Sequence, residues 1–347
     1  MKEVNHTEYV GADVDINNVV CSVMSTHGKL KETFVVPSNP EGMDQLIEKM
    51  GNPRKWKILF ESSTYSTDLH IYLAGRGIQS VTANAYNLRL INASKKKTDT
   101  NDSIALARYL RLWDRGELEL SISNIVSGDD QKLRDLCRLR EEYAQEKSRT
   151  VQRISAHMRR NGEYLDESKY SDMTAEKTLK FILETYADDS VLCERVRHYI
   201  YLKVRCNDID SQLMLSRTHE DEVKLLSSIP GVGELSATQL MSAVVDVDRF
   251  ETQGRFRSYF GMAPKVRDSG GKQHHGHITK MGDPMVRRIL YRIIYTHMRC
   301  VPNGHITRYY GSCVNRMGKA KARTAAACKL LDLIFALLKR GTPYVHR

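Results

Sequence analysis

The chain has 347 residues, 41% hydrophobic and 27% charged, with only 8 Pro and 21 Gly, which is enough apolar material for two folded cores and excludes a fibre or a disordered tail. No run approaches the ~20 apolar residues of a membrane helix, and the first residues lack the apolar core of a signal peptide, so we expect a cytoplasmic protein without a membrane partner. Residues 254–347 hold 19 Lys and Arg against 3 Asp and Glu, within a formal net charge of +11; this favours nucleic acid as a partner over an anionic membrane or a merely basic surface.

Residues 1–120 are predicted to alternate strands and helices around a mixed sheet. Runs rich in β-branched residues predict a meander of strands at Tyr9–Asp15, Asn18–Ser25 and Leu30–Val36. Apolar spacing and Gly or Pro punctuation then predict a helix at Pro40–Met50, a strand at Lys57–Glu61, a helix at Tyr65–Ala74, a strand at Ile78–Ala83 and a helix at Asn101–Trp113. This order is that of an α/β ribonuclease H-like domain.

Residues 128–224 are predicted to form a helical, coiled-coil linker. A loose heptad-like stripe comprises Leu133, Leu136, Tyr143, Thr150, Ile154 and Met158. A short helix at Ala175–Tyr186 and a second long helix at Asp189–Ser216 follow.

Residues 225–347 are predicted to form a basic, mainly α C-terminal domain. Its expected helices are Glu234–Val245, Met285–Arg299 and Gly318–Lys339, with a polar loop at Asp268–Gly282. The 7 cysteines are odd in number and scattered, so we predict reduced, mostly buried thiols rather than disulfides or a zinc module.

Four acids in the first region are candidate metal ligands: Asp13, Glu61, Asp99 and Asp102. Asp13 lies within a predicted strand and Glu61 ends one, and such an acid is costly unless something positive pairs with it. Asp99 and Asp102 are three residues apart at a helix start, so both can face one site. Two Mg²⁺ ions roughly 4 Å apart, held by such carboxylates, can stabilise both oxygens of a phosphodiester exchange.

Each acid also has an ordinary alternative as a helix cap or a solvated carboxylate, and Asp102 in particular suits an N-cap. Asp15 shares a strand face with Asp13 by alternation and is a further candidate ligand.

The segment Ile229-Pro230-Gly231-Val232-Gly233 between two predicted helices resembles a helix-hairpin-helix turn. Gly231 and Gly233 would permit a tight bend in which backbone N–H groups face a phosphate. An ordinary Pro-Gly connection between helices is the alternative.

A second candidate nucleic-acid site surrounds Ser269, which is followed by Gly270 and Gly271. The nearby basic residues are Arg267, Lys272 and Lys280, and they can stabilise charge on a phosphorus centre. An activated serine could attack that phosphorus and hold it as a phosphoserine, although the spacing by itself favours a phosphate-binding loop without a nucleophile.

In combination, the four acids, the helical linker, the Ile229–Gly233 turn and the Ser269-Gly270-Gly271 loop resemble the DEDD transposases of the insertion-sequence-110 family. Phe256–Pro264 and Ile278–Pro284 also match that family's patterns Tyr-x-Gly-x-x-Pro and Ile-Thr-Lys-x-Gly-Asn/Asp-Pro. The resemblance covers nearly the whole chain.

The resemblance implies a first domain similar to Holliday-junction resolvases, in which Asp13, Glu61, Asp99 and Asp102 hold Mg²⁺, and a C-terminal domain that supplies Ser269 as nucleophile. It also implies donor and target DNA as substrates, a bridge RNA that pairs with both, and dimers that assemble into a tetramer. The function expected is site-specific recombination that moves an insertion sequence.

Three alternatives stay open from the sequence. A pilin-type DNA invertase shares the same motifs, a metal-dependent junction nuclease would use the four acids without the serine, and a catalytically inert nucleic-acid-binding protein would use neither.

Overall fold

The chain divides into two compact units, Met1–Ser127 and Gly128–Arg347, which are described one at a time. The structure is a computed structural model that describes residues 6–84, 88, 98–126, 128–166, 168–269 and 272–345, with the backbone alone at 266–269 and 272–275.

The first unit is built on a five-stranded mixed sheet in the order β3-β2-β1-β4-β5. The strands are β1 (Glu8–Val14), β2 (Asn18–Ser25), β3 (Leu30–Pro37), β4 (Trp56–Glu61) and β5 (Gln79–Ala83). β1, β2 and β3 pair antiparallel, as a meander with short turns does. β4 pairs parallel to β1, and β5 parallel to β4. The predicted meander and the two later strands are confirmed.

Three helices of the described part of this unit cover the sheet: α1 (Pro40–Met50), α2 (Thr64–Gly75) and α3 (Asp99–Asp114). Each begins at a side chain that accepts a hydrogen bond from a first-turn N–H group, and these caps are Asn39, Ser63 and Thr98. Alternate strand residues enter different cores. The core that includes residues of α1 and α2 contains Val10, Ala12, Ile58 and Phe60. The core that includes residues of α3 contains Tyr9, Leu59, Leu106 and Leu110.

Helix α3 approaches strand β1 at backbone distance because Gly11 has no side chain. A Cβ atom on Gly11 would lie 2.1 Å from the Ser103 carbonyl oxygen and 2.2 Å from the Ala107 nitrogen. The Ser103 hydroxyl is fully buried and lies 2.8 Å from the hydroxyl of Ser22 on β2. Gly11 therefore sets how closely the helix can approach the sheet.

The second unit begins with a long antiparallel helix pair, α4 (Gly128–Arg160) and α6 (Ser190–Leu215), with α5 (Glu176–Thr185) between them in sequence. The start of α4 and the end of α6 share one core, which contains Leu133, Cys137, Ile209 and Leu213. Their other ends share a second core with α5, which contains Ile154, Met158, Leu179, Ile182, Leu192 and Val196.

The rest of the second unit is mainly helical. Its elements are α7 (Glu220–Ser227), α8 (Glu234–Val244), α9 (Gln253–Tyr259), β6 (Pro264–Ser269), β7 (Lys272–Ile278), α10 (Pro284–Cys300), α11 (His305–Met317) and α12 (Lys319–Arg340). The core at the start of α4 also includes Leu240 of α8, Ile293 of α10 and Leu331 of α12. The predicted regions 128–224 and 225–347 thus share one hydrophobic core.

One prediction in this unit is wrong, and the sequence also missed helices. The expected polar loop at Asp268–Gly282 is mostly a β-hairpin of β6 and β7, because a two-stranded ribbon can form by backbone pairing without the apolar alternation that predicts strands. Helix α11 was not predicted, since Ile306 and Cys313 alone are buried in it, too few for a clear helical period.

No helix in the ranges that the structure describes is both long enough and apolar enough to cross a bilayer.

Substitution of Gly11 by Ala should destabilise the first unit by on the order of 3 kcal/mol, because the added methyl group would force α3 away from the sheet. Gly75→Ala is the matched control, since a Cβ there meets nothing within 4 Å. The free energies of unfolding from urea titration should differ accordingly, and equal values for the two variants would contradict this account of the α3 packing.

Candidate active site

Asp13 and Glu61 lie at the carboxyl ends of two neighbouring parallel strands. β1 and β4 pair in the register Gly11 to Leu59 and Ala12 to Phe60, so Asp13 and Glu61 occupy the next positions along the two strands. Both residues are half-buried. Since side chains alternate along a strand, the two acids belong to the same face of the sheet as Gly11 and Leu59, which is the face that α3 covers.

A partly buried ionic network around Asp114 fixes the C-terminal end of α3. The Asp114 carboxylate accepts hydrogen bonds from Lys57 Nζ at 2.8 Å and from the Tyr9 hydroxyl at 3.1 Å, and it lies 3.3 Å from His6 Nδ1. Burial acts to raise the pKa of Asp114, but the hydrogen bond and charge of Lys57 outweigh it, and the pKa is lowered. Burial, followed by the Asp114 charge, raises the pKa of Tyr9 to about 12.

The network also sets the direction of α3. Tyr9 stands near the amino end of β1, so Asp114 marks the end of α3 that lies there. Ser103, near the start of α3, packs against Gly11 towards the carboxyl end. Helix α3 therefore runs antiparallel to β1 and places Asp99 and Asp102 at the end of the sheet where Asp13 and Glu61 lie.

Asp102 is not the N-cap of α3, so that alternative is wrong. Thr98 occupies the cap, and its hydroxyl accepts a hydrogen bond from the Asn101 N–H at 3.3 Å. Asp99 and Asp102 both lie in the first turn, where the helix dipole favours a negative charge. Asp99 is exposed and Asp102 is half-buried. Asp15 lies beyond the end of β1 in an exposed turn.

The fold brings the four acids to one end of the sheet without assembling a complete ligand set. Among the described side chains, no group of three or more His, Cys, Asp or Glu residues is arranged to hold a metal ion. Asp13 and Asp102 each interact with another group. The donors are nevertheless carboxylate oxygens, which are the ligands that Mg²⁺ prefers, so their chemistry fits this ion.

Burial makes at least three of the thiols unsuitable as nucleophiles. All seven cysteines are free, and five of them are buried. Burial raises the pKa of Cys21 to about 12 and the pKa values of Cys137 and Cys328 to about 11, so these three stay protonated near neutral pH.

In the second unit, Ser269 is the last residue of β6 and stands opposite Lys272, the first residue of β7. Arg267 is opposite His274 in the same register. Gly270 and Gly271 lie outside the described residues.

The two segments that flank this hairpin pack backbone to backbone. The N–H of Lys280 donates to the Gly261 carbonyl at 3.0 Å. A Cβ on Gly261 would lie 2.6 Å from the Met281 nitrogen, and one on Gly282 would lie 2.3 Å from the Tyr259 carbonyl oxygen. These glycines allow the two predicted motifs to cross at the base of the hairpin. Lys280 has a φ of 58°, a left-handed conformation that is uncommon for a lysine.

Arg287, which sequence reasoning missed, stabilises this crossing. Its Nη1 donates to the carbonyls of Phe260 at 3.1 Å and Gly282 at 2.9 Å. The local sequence around Arg287, in the first turn of α10, does not indicate that its side chain contacts these carbonyl groups.

The Ile229–Gly233 turn connects α7 to α8 and is held against α10. His297 is buried, and its Nδ1 lies 2.7 Å from the Pro230 carbonyl oxygen. Gly231 has a φ of 89°, and a Cβ on it would lie 2.5 Å from the His297 nitrogen. Packing therefore explains Gly231. Gly233, in contrast, is exposed and has open space around it at the start of α8, which has no side-chain cap.

A cationic surface accompanies the last three helices. Residues 284–340 contain twelve Lys and Arg but a single acid, Asp332, which pairs with Arg257 at 3.1 Å. Within the described residues, two of the twelve form ion pairs, Arg288 with Glu141 and Lys339 with Asp248. Most of the positive charge is therefore uncompensated and suits a polyanion.

Comparisons with known proteins show the family of the chain. A family model described as "Transposase IS116/IS110/IS902 family" matches residues 223–310, and an IS110-type DEDD model described as "Transposase" matches residues 10–161. Together the two models match residues in both units, and the chain belongs to the IS110 family of transposases.

Several curated relatives are similar over shorter or longer parts of the chain. The transposase for insertion sequence element IS1533 of Leptospira borgpetersenii is 25% identical over 305 residues, 83% of this chain and 85% of that protein. The transposase for insertion sequence element IS1111A of Coxiella burnetii is 28% identical over 139 residues, 40% of this chain and 38% of that protein. A probable family 20 transposase of Pseudomonas aeruginosa is 26% identical over 145 residues, and the match spans less than half of its length, 43%.

The raised pKa of Tyr9 predicts a loss of stability in alkaline solution. The unfolded chain ionises Tyr9 near 10, whereas the folded unit resists ionisation until about 12. The contribution of Tyr9 to the free energy of unfolding is therefore complete below pH 10 and is lost as the pH rises through 12. Denaturant unfolding across this window should show a steeper loss for the wild type than for Tyr9→Phe, and parallel pH profiles would contradict the Tyr9–Asp114 coupling.

Proposed function

We propose that this protein is a site-specific DNA recombinase that moves an insertion sequence by cutting and rejoining DNA. The observation that carries the proposal is the placement of four acids at one end of the sheet: Asp13 and Glu61 at the ends of adjacent parallel strands, and Asp99 and Asp102 in the first turn of the antiparallel helix α3. The sheet order and this acid placement support a ribonuclease H-like first unit, similar to Holliday-junction resolvases.

In the proposal, Asp13, Glu61, Asp99 and Asp102 hold Mg²⁺. When bound, the ion would neutralise charge that develops on the phosphate oxygens during exchange. The two strand residues sit on a rigid sheet, whereas the two helix residues depend on the packing at Gly11 for their position. Small movements of α3 would then complete or disrupt the ligand set.

Ser269 is the proposed nucleophile. Its Oγ would attack the scissile phosphorus, so that a new P–O bond to serine forms while the bond to the leaving DNA oxygen breaks and the serine proton passes to that oxygen. A DNA hydroxyl would later reverse the step and release the serine. The phosphodiester energy is thereby conserved without ATP. The position of Ser269 opposite Lys272, with Arg267 two residues earlier, supports a site where cations surround the phosphate.

The nucleic acid would be held by the basic second unit. Gly233 at the uncapped start of α8 supports a phosphate contact there, together with Lys280 and the cationic helices α10–α12. Gly231 supports this contact indirectly, through its packing on α10. Gly270 and Gly271, which follow Ser269 in the chain, complete the proposed set of nucleic-acid-binding residues.

The partners proposed are donor and target DNA, a bridge RNA that pairs with both, and further copies of the chain, as dimers that form a tetramer. These partners rest on the family to which the chain belongs. Sequencing of RNA that copurifies with the protein, and comparison with the DNA that flanks its gene, tests the RNA partner.

Ser269→Ala should abolish the covalent protein–DNA adduct and strand transfer, because no other group can then form the phosphoserine. The adduct is measured on end-labelled DNA by denaturing gel electrophoresis. Ser258→Ala, an exposed serine of α9 in the same unit, is the control and should keep both activities. Strand cutting without an adduct in the wild type would instead favour a metal-dependent nuclease.

Asp13→Asn and Glu61→Gln should each reduce Mg²⁺-dependent cutting on the order of 100-fold or more, because a missing ligand removes several kcal/mol of charge stabilisation. Asp15→Asn is the matched control, because it makes the same change from carboxylate to amide at an exposed turn residue, and we expect cutting near the wild-type rate. Cutting rates are compared on identical DNA at saturating Mg²⁺. Full activity of Glu61→Gln would exclude this acid as a ligand.

A further inference from the structure

Two arginines converge on the C-terminal end of helix α8. Arg134 of α4 donates from Nε to the Ser242 carbonyl at 3.1 Å, and Arg249 donates from Nε to the Val244 carbonyl at 3.3 Å. Both carbonyls belong to the last turn of α8. Positive charge at this end of a helix is favourable. The helix end therefore accounts for the position of the Nε atom of each guanidinium group.

The contacts with the helix end do not provide an acceptor for the Nη2 atoms of these two arginines. The Nη2 atoms of Arg134 and Arg249 are both buried, and neither has a hydrogen-bond acceptor in the part of the chain that the structure describes. A buried donor without an acceptor is costly, more so when it is charged. Two such donors near one helix end indicate a site that an external acceptor would complete.

A third arginine adds positive charge at the same place. Arg138 lies one turn after Arg134 on α4, so the two share a helix face, and the Arg138 side chain is 52% exposed. Its nearest acid is Asp283, 3.9 Å from Nη2. Burial lowers the pKa of Arg134, and the charges of Arg138 and Arg249 lower it further, against the opposing effects of Tyr259 and Asp283. Asp283 is thus the carboxylate that acts on both Arg134 and Arg138.

Aromatic rings hold one of the three guanidinium groups. The guanidinium of Arg249 lies 4.2 Å from the ring centroids of both Phe250 and Tyr259. Stacking of this kind restricts the guanidinium plane without forming hydrogen bonds to its nitrogens, so it leaves Nη2 without an acceptor.

The cluster lies beside the base of the hairpin that carries Ser269. Tyr259 and Asp283 belong to the two segments that cross there, through the contacts of Gly261 and Gly282. All of these residues belong to the second unit, so the arginine cluster and the hairpin are parts of one compact unit.

We infer that Arg134, Arg138 and Arg249 form a phosphate-binding site, and that its ligand is a backbone phosphate of the bound DNA. Arginine forks match the paired oxygens of a phosphate, which accepts several charge-assisted hydrogen bonds at once. The identity of the ligand as a DNA phosphate rests on the proposed function. The site is separate from the four acids and would fix DNA at the base of the hairpin.

The test compares Arg138→Gln with Arg153→Gln in the full-length protein. Both arginines lie on α4 with similar side-chain exposure, 52% and 54%, but Arg153 is paired with Glu146 at 2.6 Å. Binding of a fluorescent DNA duplex is measured by anisotropy over a range of salt concentrations in EDTA. Arg138→Gln should weaken binding about tenfold and reduce the salt slope by about 1, the value for one phosphate contact. Arg153→Gln should leave both unchanged.

Arg249→Lys provides a second variant that keeps the charge at the end of α8 but removes the planar fork. It should weaken DNA binding several-fold while thermal melting shows a folded protein. If Arg138→Gln and Arg249→Lys both bind DNA with the wild-type slope and affinity, the cluster is only a helix cap and the inference is overturned.

Inorganic phosphate separates the two sources of the ligand. A rise in melting temperature with phosphate that is smaller in Arg138→Gln, together with unchanged DNA binding, would assign the site to free phosphate and overturn the DNA assignment. Because EDTA prevents cutting, these measurements do not depend on catalysis. A protein that binds DNA through the cluster but never transfers strands would refute the proposed function alone.

Discussion

The backbone contact between Gly11 of β1 and the Ser103–Ala107 turn of α3 is the constraint on which the candidate active site depends. Because Gly11 lacks a Cβ, the helix lies directly on the strand. The buried contact between the Ser22 and Ser103 hydroxyl groups holds the same turn of α3 against the neighbouring strand β2. The first turn of α3, with its two acids, is thereby placed beside the ends of β1 and β4. A bulkier residue at this strand position would move the helix acids away from the strand acids.

Opposite ends of α3 serve different purposes. Asp114 at the C-terminal end accepts hydrogen bonds from Lys57 and Tyr9, so its charge is compensated within the fold. Asp99 and Asp102 at the N-terminal end lie where the helix dipole favours anions. Asp114 therefore stabilises the fold, whereas the four acids at the other end of α3 and the sheet are the proposed ligands of a cation.

Ionic contacts also explain why the helical linker belongs to the basic unit. Arg140 of α4 makes a two-bond pair with Asp210 of α6, at 2.8 Å and 3.1 Å. The neighbouring Glu141, which is 6% exposed, pairs with Arg288 of α10 at 2.6 Å. Loss of one partner from such a pair leaves a buried charge uncompensated. The first pair links α4 to α6 and the second links α4 to α10 of the basic unit, next to the core that these helices share.

Local patterns in the sequence determined most of the elements and the acids. Runs rich in β-branched residues predicted β1–β3, helical spacing predicted α1 and α12, and the chain order of these elements indicated which strands would carry Asp13 and Glu61. These features depend on residues close together in the chain. The family resemblance of the motifs was likewise visible in the sequence.

Only the tertiary structure decided the rest, because it depends on contacts between residues far apart in the chain. The β6–β7 hairpin has no apolar period and depends on pairing across the turn. Gly231 is required by the approach of α10, sixty-six residues later in the chain at His297. The cluster of Arg134, Arg138 and Arg249 is invisible in the sequence, since α4 and the end of α8 meet only when their shared core forms and brings their charges together.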